Sequence, residues 1–369
     1  MLAAAATATS SRATGATFVY VANAQDGTIS IYKLDPTNGD LQPAGSTAAG
    51  NRVGPLAPSP DHRHLYASIR TEPFSVATYL IDSKTGALTC VATAGLADSM
   101  AYISTDRSGR FLFGASYSGD VVSVNAIGRQ GFAQSAMQVV KTGRHAHAIL
   151  ADASNRFVYA TNLGTDQVLQ FDFNERTGAL SPNKVPSTRL PEGAGPRHLV
   201  FAPDGRFLHV LSELAGTVTT FAVDAATGNL TEAGSVEGVP KSYGLVRGVI
   251  RPPAGNAAQV DDTPRIWASD IHVTPDGKFL YMAERTSSSI SAFACDPATG
   301  RLTFLSNVLV EKQPRGFNIE LRGRFMVVAG EKSSEVGVYA IDPQRGALTR
   351  VGHAAAGQGA NWVEIVEFN

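Results

Sequence analysis

A repeat with a period near 46 residues is the feature that most restricts how this chain can fold. An apolar segment followed by Pro-Asp-Gly recurs most clearly at 195–208 and 269–280. An aromatic-rich strand follows each copy, and the centres of the seven such strands lie at Tyr20, Tyr66, Phe113, Tyr159, His209, Tyr281 and Val327. The steps between these centres are 46, 47, 46, 50, 72 and 46 residues. Seven strand-rich units of this length predict an all-β fold, a seven-bladed β-propeller.

A second phrase, Asp or Asn followed four residues later by Gly, runs out of phase with the first. Its copies begin at Asp35, Asp82, Asn174, Asp224, Asp296 and Asp342. Such a phrase predicts a short hairpin with a bulge. If the Pro-Asp-Gly turn links strands one and two of a blade, and this hairpin links strands three and four, both lie on one face of the ring. The starts of the inner strands then lie on the opposite face, where the blades differ in sequence.

The two ends of the chain are predicted to meet in the first blade. The segment 18–22 already corresponds to a second strand, so blade one lacks an inner strand, and 357–365 resembles the inner-strand phrase at 193–201. Pairing of the C-terminal strand into blade one would remove two exposed strand edges. We therefore expect a flexible N-terminal tail over residues 1–17 and one propeller domain over 18–369.

Composition restricts the partners and the compartment. The formal net charge of −1 gives no electrostatic basis for binding nucleic acid or a membrane surface. No apolar run approaches the ~20 residues that span a bilayer. The N-terminus is a poor signal peptide as it stands, which favours the cytoplasm, with a trimmed export signal as the alternative. Cys90 and Cys295 are predicted to be buried or half-buried free thiols. The oligomeric state stays open between a monomer and a weak dimer.

Alignment of the blades on the Pro-Asp-Gly turn predicts which residues surround one mouth of the central channel. The inner strands should start at Asn361, Gly54, Ala101, His147, Arg197, Ser269 and Arg315. The next position holds Trp362, Pro55, Tyr102, Ala148, His198, Asp270 and Gly316. The second strands should end at Ala24, Arg70, Tyr117, Leu163, Glu213, Arg285 and Glu331. Polar and charged residues converging on a concave opening predict a binding or catalytic site there.

The longest spacing between blades falls at 241–265, between blades five and six. This insertion should lie on the polar face, and it carries Arg247 and Arg251. We expect a lid over the channel, with an ordinary surface loop as the alternative.

Several of these segments resemble the seven-bladed propeller lactonases, a family that contains bacterial 6-phosphogluconolactonases and fungal carboxymuconate-lactonising enzymes. The resembling segments are 192–201, 268–277, 284–288, 313–318 and 357–359, and the resemblance extends over essentially 18–369. It implies hydrolysis of an anionic sugar-acid lactone, first of all 6-phosphogluconolactone to 6-phosphogluconate, in the carbohydrate metabolism of the pentose phosphate pathway. The alternatives are a carboxymuconate cyclase, or a propeller that binds without catalysis.

By analogy with the lactonising branch of the family, the catalytic surroundings are His147, Arg197, Glu213 and Arg285. The sequence reads His145-Ala146-His147, and the branches differ over which position holds histidine, so both assignments stay open. Arginine matches phosphate or carboxylate bidentately, which makes Arg197, Arg285 and Arg315 the expected anion-holders. His147, His198 or Glu213 could act as the base. The remaining substrate-binding candidates are His198, Asp270, His272, Arg315, Asn361 and Trp362.

Several candidates also have structural interpretations. Arg197 could tie neighbouring blades together through a carboxylate, Asp270 and His272 could form a structural pair, and Trp362 could simply pack the inner ring. Asp204 and Asp276 are interpreted as turn residues, and Glu331 and Lys332 as a solvated rim.

No sequence pattern supports a nucleophilic serine, a metal or a cofactor. The chain has no Gly-x-Ser-x-Gly, no His-Glu-x-x-His and no cysteine cluster. We therefore expect no cofactor, no metal ligands and a metal-free reaction on a small-molecule anionic lactone.

Overall fold

The computed structural model describes residues 15–251 and 262–368. Most of the predicted N-terminal tail, residues 1–14, lies outside the described residues. So do residues 252–261, the central part of the predicted lid.

Twenty-eight β-strands make up the described parts of the chain, with two short 3₁₀ turns at Leu163–Thr165 and Lys241–Tyr243. In chain order the strands are β1 (Thr17–Asn23), β2 (Thr28–Leu34), β3 (Leu41–Ala48), β4 (Val53–Pro58), β5 (His64–Ile69), β6 (Ser75–Ile81), β7 (Leu88–Gly95), β8 (Met100–Thr105), β9 (Phe111–Ser116), β10 (Val121–Ile127), β11 (Ala133–Lys141), β12 (Ala146–Ala151), β13 (Phe157–Asn162), β14 (Gln167–Asn174), β15 (Ala179–Arg189), β16 (Pro196–Phe201), β17 (Phe207–Ser212), β18 (Thr217–Val223), β19 (Leu230–Glu237), β20 (Ala268–Val273), β21 (Phe279–Glu284), β22 (Ser289–Cys295), β23 (Leu302–Leu309), β24 (Pro314–Ile319), β25 (Phe325–Gly330), β26 (Glu335–Ile341), β27 (Leu348–Ala355) and β28 (Ala360–Glu367).

The strands form seven antiparallel four-stranded sheets, one for each predicted blade. Blade one has the order β28-β1-β2-β3, and each later blade uses four consecutive strands. β28 pairs with β1 from Thr17↔Glu367 to Asn23↔Ala360, so the last strand of the chain closes the ring. The predictions of seven blades and of closure by the C-terminal strand are confirmed.

The apolar core lies between adjacent blades rather than within one sheet. Every residue of β1 is buried, because this second strand is covered on both faces, whereas most of β3 is exposed at the rim. One core cluster joins Phe18 and Tyr20 of blade one to Leu56 and Leu65 of blade two. Burial of each such side chain contributes about 1.5–3 kcal/mol, so the blades stabilise one another.

The Asp-x-x-x-Gly hairpin explains why the same contact recurs around the ring. Gly86 has a positive φ of 74°, and a Cβ there would lie 2.4 Å from the ring of Phe18 in the preceding blade. The Tyr20 hydroxyl donates a hydrogen bond to the Gly86 carbonyl at 2.9 Å. Equivalent Gly–Phe contacts join the blades at Gly39–Phe325, Gly178–Phe111, Gly228–Phe157, Gly300–Phe207 and Gly346–Phe279. Only glycine allows this close approach in the left-handed conformation.

The prediction for the cysteines is partly wrong. Both are free thiols, but Cys90 is exposed, because it lies at a solvent-facing position of the outermost strand β7, and Cys295 is half-buried. The turn assignment of Asp204 and Asp276 is confirmed, since each carboxylate accepts the backbone N–H two residues later. No helix within 15–251 or 262–368 has the length and apolar character needed to cross a membrane.

Candidate active site

The channel mouth is formed as the alignment of the blades predicts. Each residue predicted to start an inner strand is the second residue of β28, β4, β8, β12, β16, β20 or β24. Each residue predicted to end a second strand follows that strand directly. This ring of residues is the channel mouth.

Glu213 lies between two arginines at the junction of blades five and six. Its Oε1 accepts a hydrogen bond from Arg285 Nη2 at 2.7 Å, and its Oε2 lies 2.9 Å from Arg197 Nε. The Arg197 Nε–H is not aligned on that oxygen, so this second contact is ionic rather than a hydrogen bond. Burial alone would raise the pKa of Glu213, but the charges of Arg285 and Arg197 hold it below its usual value. Both carboxylate oxygens are therefore occupied, and the group is ionised at neutral pH.

Arg197 is the largest fully buried side chain of the mouth, with 1% of it exposed. Its Nη1 lies 2.9 Å from His198 Nε2 and also donates to the Ser269 carbonyl of blade six. Arg197 therefore does tie neighbouring blades, through that carbonyl and through the Glu213–Arg285 pair.

His198 is held as a neutral ring by its two neighbours. Nδ1 lies 2.8 Å from Asp270 Oδ1, which can only accept, so Nδ1 carries the proton and Nε2 accepts from Arg197. Burial, followed by the charge of Arg197, lowers the pKa of His198 to about 4. Neither ring nitrogen is left free to take a proton from water.

Asp270 lies at the centre of a second group of contacts. Its Oδ2 lies 3.4 Å from His272 Nε2 and accepts the Phe317 backbone N–H, while Oδ1 accepts that of Ile271. Burial opposes ionisation, yet His272 and His198 hold the pKa of Asp270 far below its usual value. The same contact raises the pKa of His272 against the effect of its burial. The predicted pair exists, and it also fixes the tautomer of His198.

The structure places the two histidines of 145–147 in different surroundings. His145 has a φ of 65°, its ring stacks on Tyr117, and its Nδ1 lies 2.9 Å from the Tyr117 carbonyl. His147 is buried at the mouth with its ring 5.3 Å from that of His198, and its Nδ1 has no hydrogen-bond partner among the described residues. Burial and the charge of Arg197 lower the pKa of His147 well below its usual value. His147, not His145, belongs to the channel-mouth cluster.

Arg315 is the more accessible of the predicted arginines, with 21% of its side chain exposed. Its Nη1 lies 3.4 Å from Glu331 Oε1, and Gln313 Nε2 donates to Glu331 Oε2 at 2.6 Å. The interpretation of Glu331 as a solvated rim is therefore wrong, because its side chain is 24% exposed and pairs with a mouth arginine.

The described part of the 241–265 insertion comes to the mouth at Arg251. The Tyr117 hydroxyl of blade three donates to the Arg251 carbonyl at 2.8 Å, and the Arg251 guanidinium lies 3.8 Å from the centre of the Trp267 ring. Arg251 therefore adds a cation close to Arg285 and Glu213. The prediction that the 241–265 insertion acts as a lid over the channel remains a prediction.

Two channel residues were not among the site candidates: Tyr102, which the alignment places at the mouth, and Glu364, which it does not include. Tyr102 packs edge-on against His198 and Trp362, with ring centres 5.1 and 5.4 Å apart. Glu364 lies one layer below, where Trp362 Nε1 donates to its Oε1 at 2.8 Å, and burial raises the pKa of Glu364 to about 7. Strand alternation carried the signal for Glu364, since it lies two residues after Trp362 and so on the same side of β28. Asn361 is also buried here, and its Oδ1 has no partner among the described residues.

No group of three or more His, Cys, Asp or Glu that could hold a metal occurs within the described parts of the chain. The mouth instead offers cations, a neutral imidazole and aromatic walls around one opening. Such a site fits a small organic anion with a polar reacting group.

The fold defines the class of protein: a seven-bladed propeller with cations, a neutral imidazole and aromatic rings around one mouth of its channel. The family model described as "Lactonase, 7-bladed beta-propeller" matches residues 14–365. The chain therefore belongs to the seven-bladed β-propeller lactonase family.

Named relatives support the same family. A 6-phosphogluconolactonase of Pectobacterium carotovorum is 36% identical over 351 residues, which are 95% of this chain and 99% of the relative. A 6-phosphogluconolactonase of Yersinia pestis is 34% identical over 82% of this chain and 84% of its own length. The structure of the periplasmic gluconolactonase of Pseudomonas aeruginosa superposes with a TM-score of 0.81 at 26% identity, covering 95% of this chain and 99% of that one.

Proposed function

We propose that this protein hydrolyses 6-phosphogluconolactone to 6-phosphogluconate, a step of the pentose phosphate pathway. The observation that carries the proposal is the set of arginines at one opening: Arg285 and Arg315, with Arg251 at the rim. A guanidinium binds phosphate through two parallel hydrogen bonds, so a phosphorylated lactone suits this opening better than a neutral one. The names of the curated relatives support the same substrate.

In this proposal His147 handles the proton. Both nitrogens of His198 and both oxygens of Glu213 already have partners, whereas the ring of His147 is neutral and no hydrogen bond from another described residue holds it. A water oxygen bonds to the lactone carbonyl carbon while His147 takes its proton. Arg285 stabilises the resulting oxyanion, the ring C–O bond breaks, and His147 returns the proton to the leaving alkoxide.

The other candidates act as positioning or binding residues. Arg197 is fully buried, so we assign it to orienting Glu213 and His198 rather than to contact with the phosphate. Asp270 and His272 fix His198, while Asn361 and Trp362 form the wall against which the sugar ring lies. Arg315, more exposed, holds the remote phosphate.

A panel of lactones tests the substrate and the site together. Ring opening of phosphorylated, carboxylated and neutral sugar lactones should be measured for wild type, Arg315→Gln and Asp204→Asn, with and without a chelator. We expect Arg315→Gln to raise KM for the phosphorylated lactone about 10- to 100-fold, with little change for the neutral lactone. Asp204→Asn lies on the opposite face and should match wild type throughout.

Two results would contradict the proposal. One is equal turnover of the neutral and phosphorylated lactones, which would mean that the arginines recognise no anion. The other is loss of activity in the chelator with recovery on adding calcium or zinc. Preferential turnover of a carboxymuconolactone would instead indicate the lactonising reaction, which the assembly of His147, Arg197, Glu213 and Arg285 at one mouth also supports.

We also propose a cytoplasmic location, since a phosphorylated sugar acid is a cytoplasmic metabolite. Cell fractionation followed by the lactone assay tests this, and activity recovered from the periplasm would contradict it.

A further inference from the structure

Blade three departs from the repeat on the face opposite the channel mouth. Six blades close their outer hairpin with the Asp-x-x-x-Gly phrase, but blade three uses a tighter turn over 128–131. There the Gly131 N–H donates to the Gly128 carbonyl at 2.8 Å, and the Gly128 N–H donates to the Phe132 carbonyl at 2.9 Å.

The partner of this turn in blade two is also changed. At six junctions the turn glycine lies against a phenylalanine of the preceding blade, but Gly131 lies against His64, and a Cβ there would be 2.2 Å from His64 Cε1. The Tyr66 hydroxyl still donates to the Gly131 carbonyl at 2.8 Å, as Tyr20 does to Gly86. The junction of blades two and three therefore keeps the contact but replaces an apolar ring with a polar one.

A cleft of about 710 Å³ opens beside this junction. That volume lies within the range of small-molecule sites, about 300–1,000 Å³. Its floor is largely apolar, formed by Leu80, Val91, Ile127 and Phe132. Four arginines from three blades line it: Arg63, Arg110, Arg129 and Arg176.

The charge of the cleft is not balanced locally. Asp61 is the lining carboxylate, and its Oδ1 is held by the Ser59 hydroxyl at 2.6 Å and the Arg63 backbone N–H at 3.1 Å. Arg110 Nε donates to the Ser108 hydroxyl, a neutral group. Four cations against one anion, in a chain whose net charge is −1, concentrate positive potential at this opening.

His64 provides a second and independent observation. Its side chain lines the cleft and is only 6% exposed, and neither ring nitrogen is a buried atom left without a partner. Phe132 packs edge-on against it at 6.2 Å between ring centres. Burial lowers the pKa of His64, so the ring is neutral and offers one N–H donor. The ring nitrogens are reachable from the cleft, so a ligand oxygen there can accept from the N–H.

We propose that the cleft of blades two and three binds a small phosphate ester carrying at least two phosphate groups, at a site separate from the channel mouth. The arginines hold the phosphates, His64 donates to one of their oxygens, and the carbon skeleton lies on the apolar floor. An ester fits better than an inorganic anion, because only the ester uses that floor.

Calorimetric titration at low ionic strength tests the site with three probes: fructose 1,6-bisphosphate, ATP and inorganic tripolyphosphate. The variant Arg63→Gln/Arg129→Gln removes two cleft cations. Its control, Arg206→Gln/Arg301→Gln, changes the net charge equally but acts elsewhere on the chain. We expect wild type and control to bind at least one ester at millimolar concentration or below. The cleft variant should bind about 100-fold more weakly, tenfold for each lost charge-assisted contact.

Lactone turnover separates this site from the proposed active site. The cleft variant should keep wild-type lactone kinetics. This comparison can be made with whichever lactone the wild-type protein hydrolyses, so it does not depend on the proposed substrate. Loss of turnover together with ester binding would place the ester at the channel mouth and overturn the inference. So would binding of tripolyphosphate alone, equal weakening in the control variant, or no binding of any probe to wild type.

Discussion

Burial, rather than contact length, should decide what the ion pair at the channel mouth contributes to stability. Arg285–Glu213 and Arg206–Asp204 both have N···O distances of 2.7 Å. The first pair is 5% and 9% exposed, and the second is 57% and 44% exposed. Glu213→Gln and Asp204→Asn each replace a carboxylate with the matching amide and so form a matched comparison.

The expected magnitudes differ several-fold. Glu213→Gln removes the charge that faces two arginines and leaves the guanidiniums of Arg197 and Arg285 buried without an anion between them. Breaking a buried pair in this way costs about 3–5 kcal/mol. The exposed pair should contribute about 0–1 kcal/mol, since water screens it. With an unfolding entropy near 2.1 cal/mol/K per residue, the first change lowers Tm by about 4–7 °C and the second by about 1 °C or less.

Thermal unfolding followed by circular dichroism at pH 7 and near pH 3 provides the assay. The folded-state pKa of Glu213 is depressed, so its contribution is present above its unfolded pKa and is lost as the pH falls through the folded value. The difference between Glu213→Gln and wild type should therefore shrink in acid. A Glu213→Gln protein that melts within about 1 °C of wild type at pH 7, or no more easily than Asp204→Asn, would refute this reasoning.

Glu364, the two cysteines and the C-terminal strand each allow a direct test. Glu364→Gln should stabilise the protein by up to about 3 kcal/mol above pH 7 and should have no effect near pH 4.5. The pKa of Glu364 is raised to about 7 in the folded state, so wild type loses stability as the pH rises toward that value. Urea unfolding measured against pH tests this, and parallel stability curves for the two proteins would contradict it. The exposed thiol of Cys90 should be alkylated at neutral pH many times faster than that of Cys295, because burial raises the pKa of Cys295 to about 12. Mass spectrometry measures the two rates, and equal rates would contradict the prediction. Deletion of the residues after Gly359 removes β28, the partner of β1, and should abolish cooperative thermal unfolding. A truncated chain that melts as wild type does would contradict this.

The repeat allowed the fold, and the residues that surround the channel mouth, to be predicted from the sequence. Because each inner strand precedes the same turn, one alignment placed His147, Arg197 and Arg315 at equivalent positions in different blades, and the structure keeps that register. The same strand alternation places Glu364, two residues after Trp362, on the channel side of β28.

Which side chains pair with one another at the channel mouth could not be predicted from the sequence. Arg197 and Arg285 are both buried and both contact Glu213, yet Arg197 is closed off by the Ser269 carbonyl and His198, whereas Arg285 reaches Glu213 from the next blade. These differences depend on side-chain directions and inter-blade distances, which a linear pattern does not contain. Glu331 was misjudged for the same reason, since its partner Arg315 lies on another strand of the blade.

Divergence among otherwise equal blades identifies candidate ligand sites more sharply than composition does. On the mouth face the aligned residues differ from blade to blade, so a polar residue there does not stand out against a repeated contact. On the opposite face six junctions use the same Gly–Phe contact, and the seventh replaces the ring with His64. That replacement exchanges an apolar ring for a polar one whose N–H can be reached from the cleft. A bound anion could accept from His64 and neutralise the neighbouring arginines at the same time, and this combination makes the cleft the stronger guide to a second ligand.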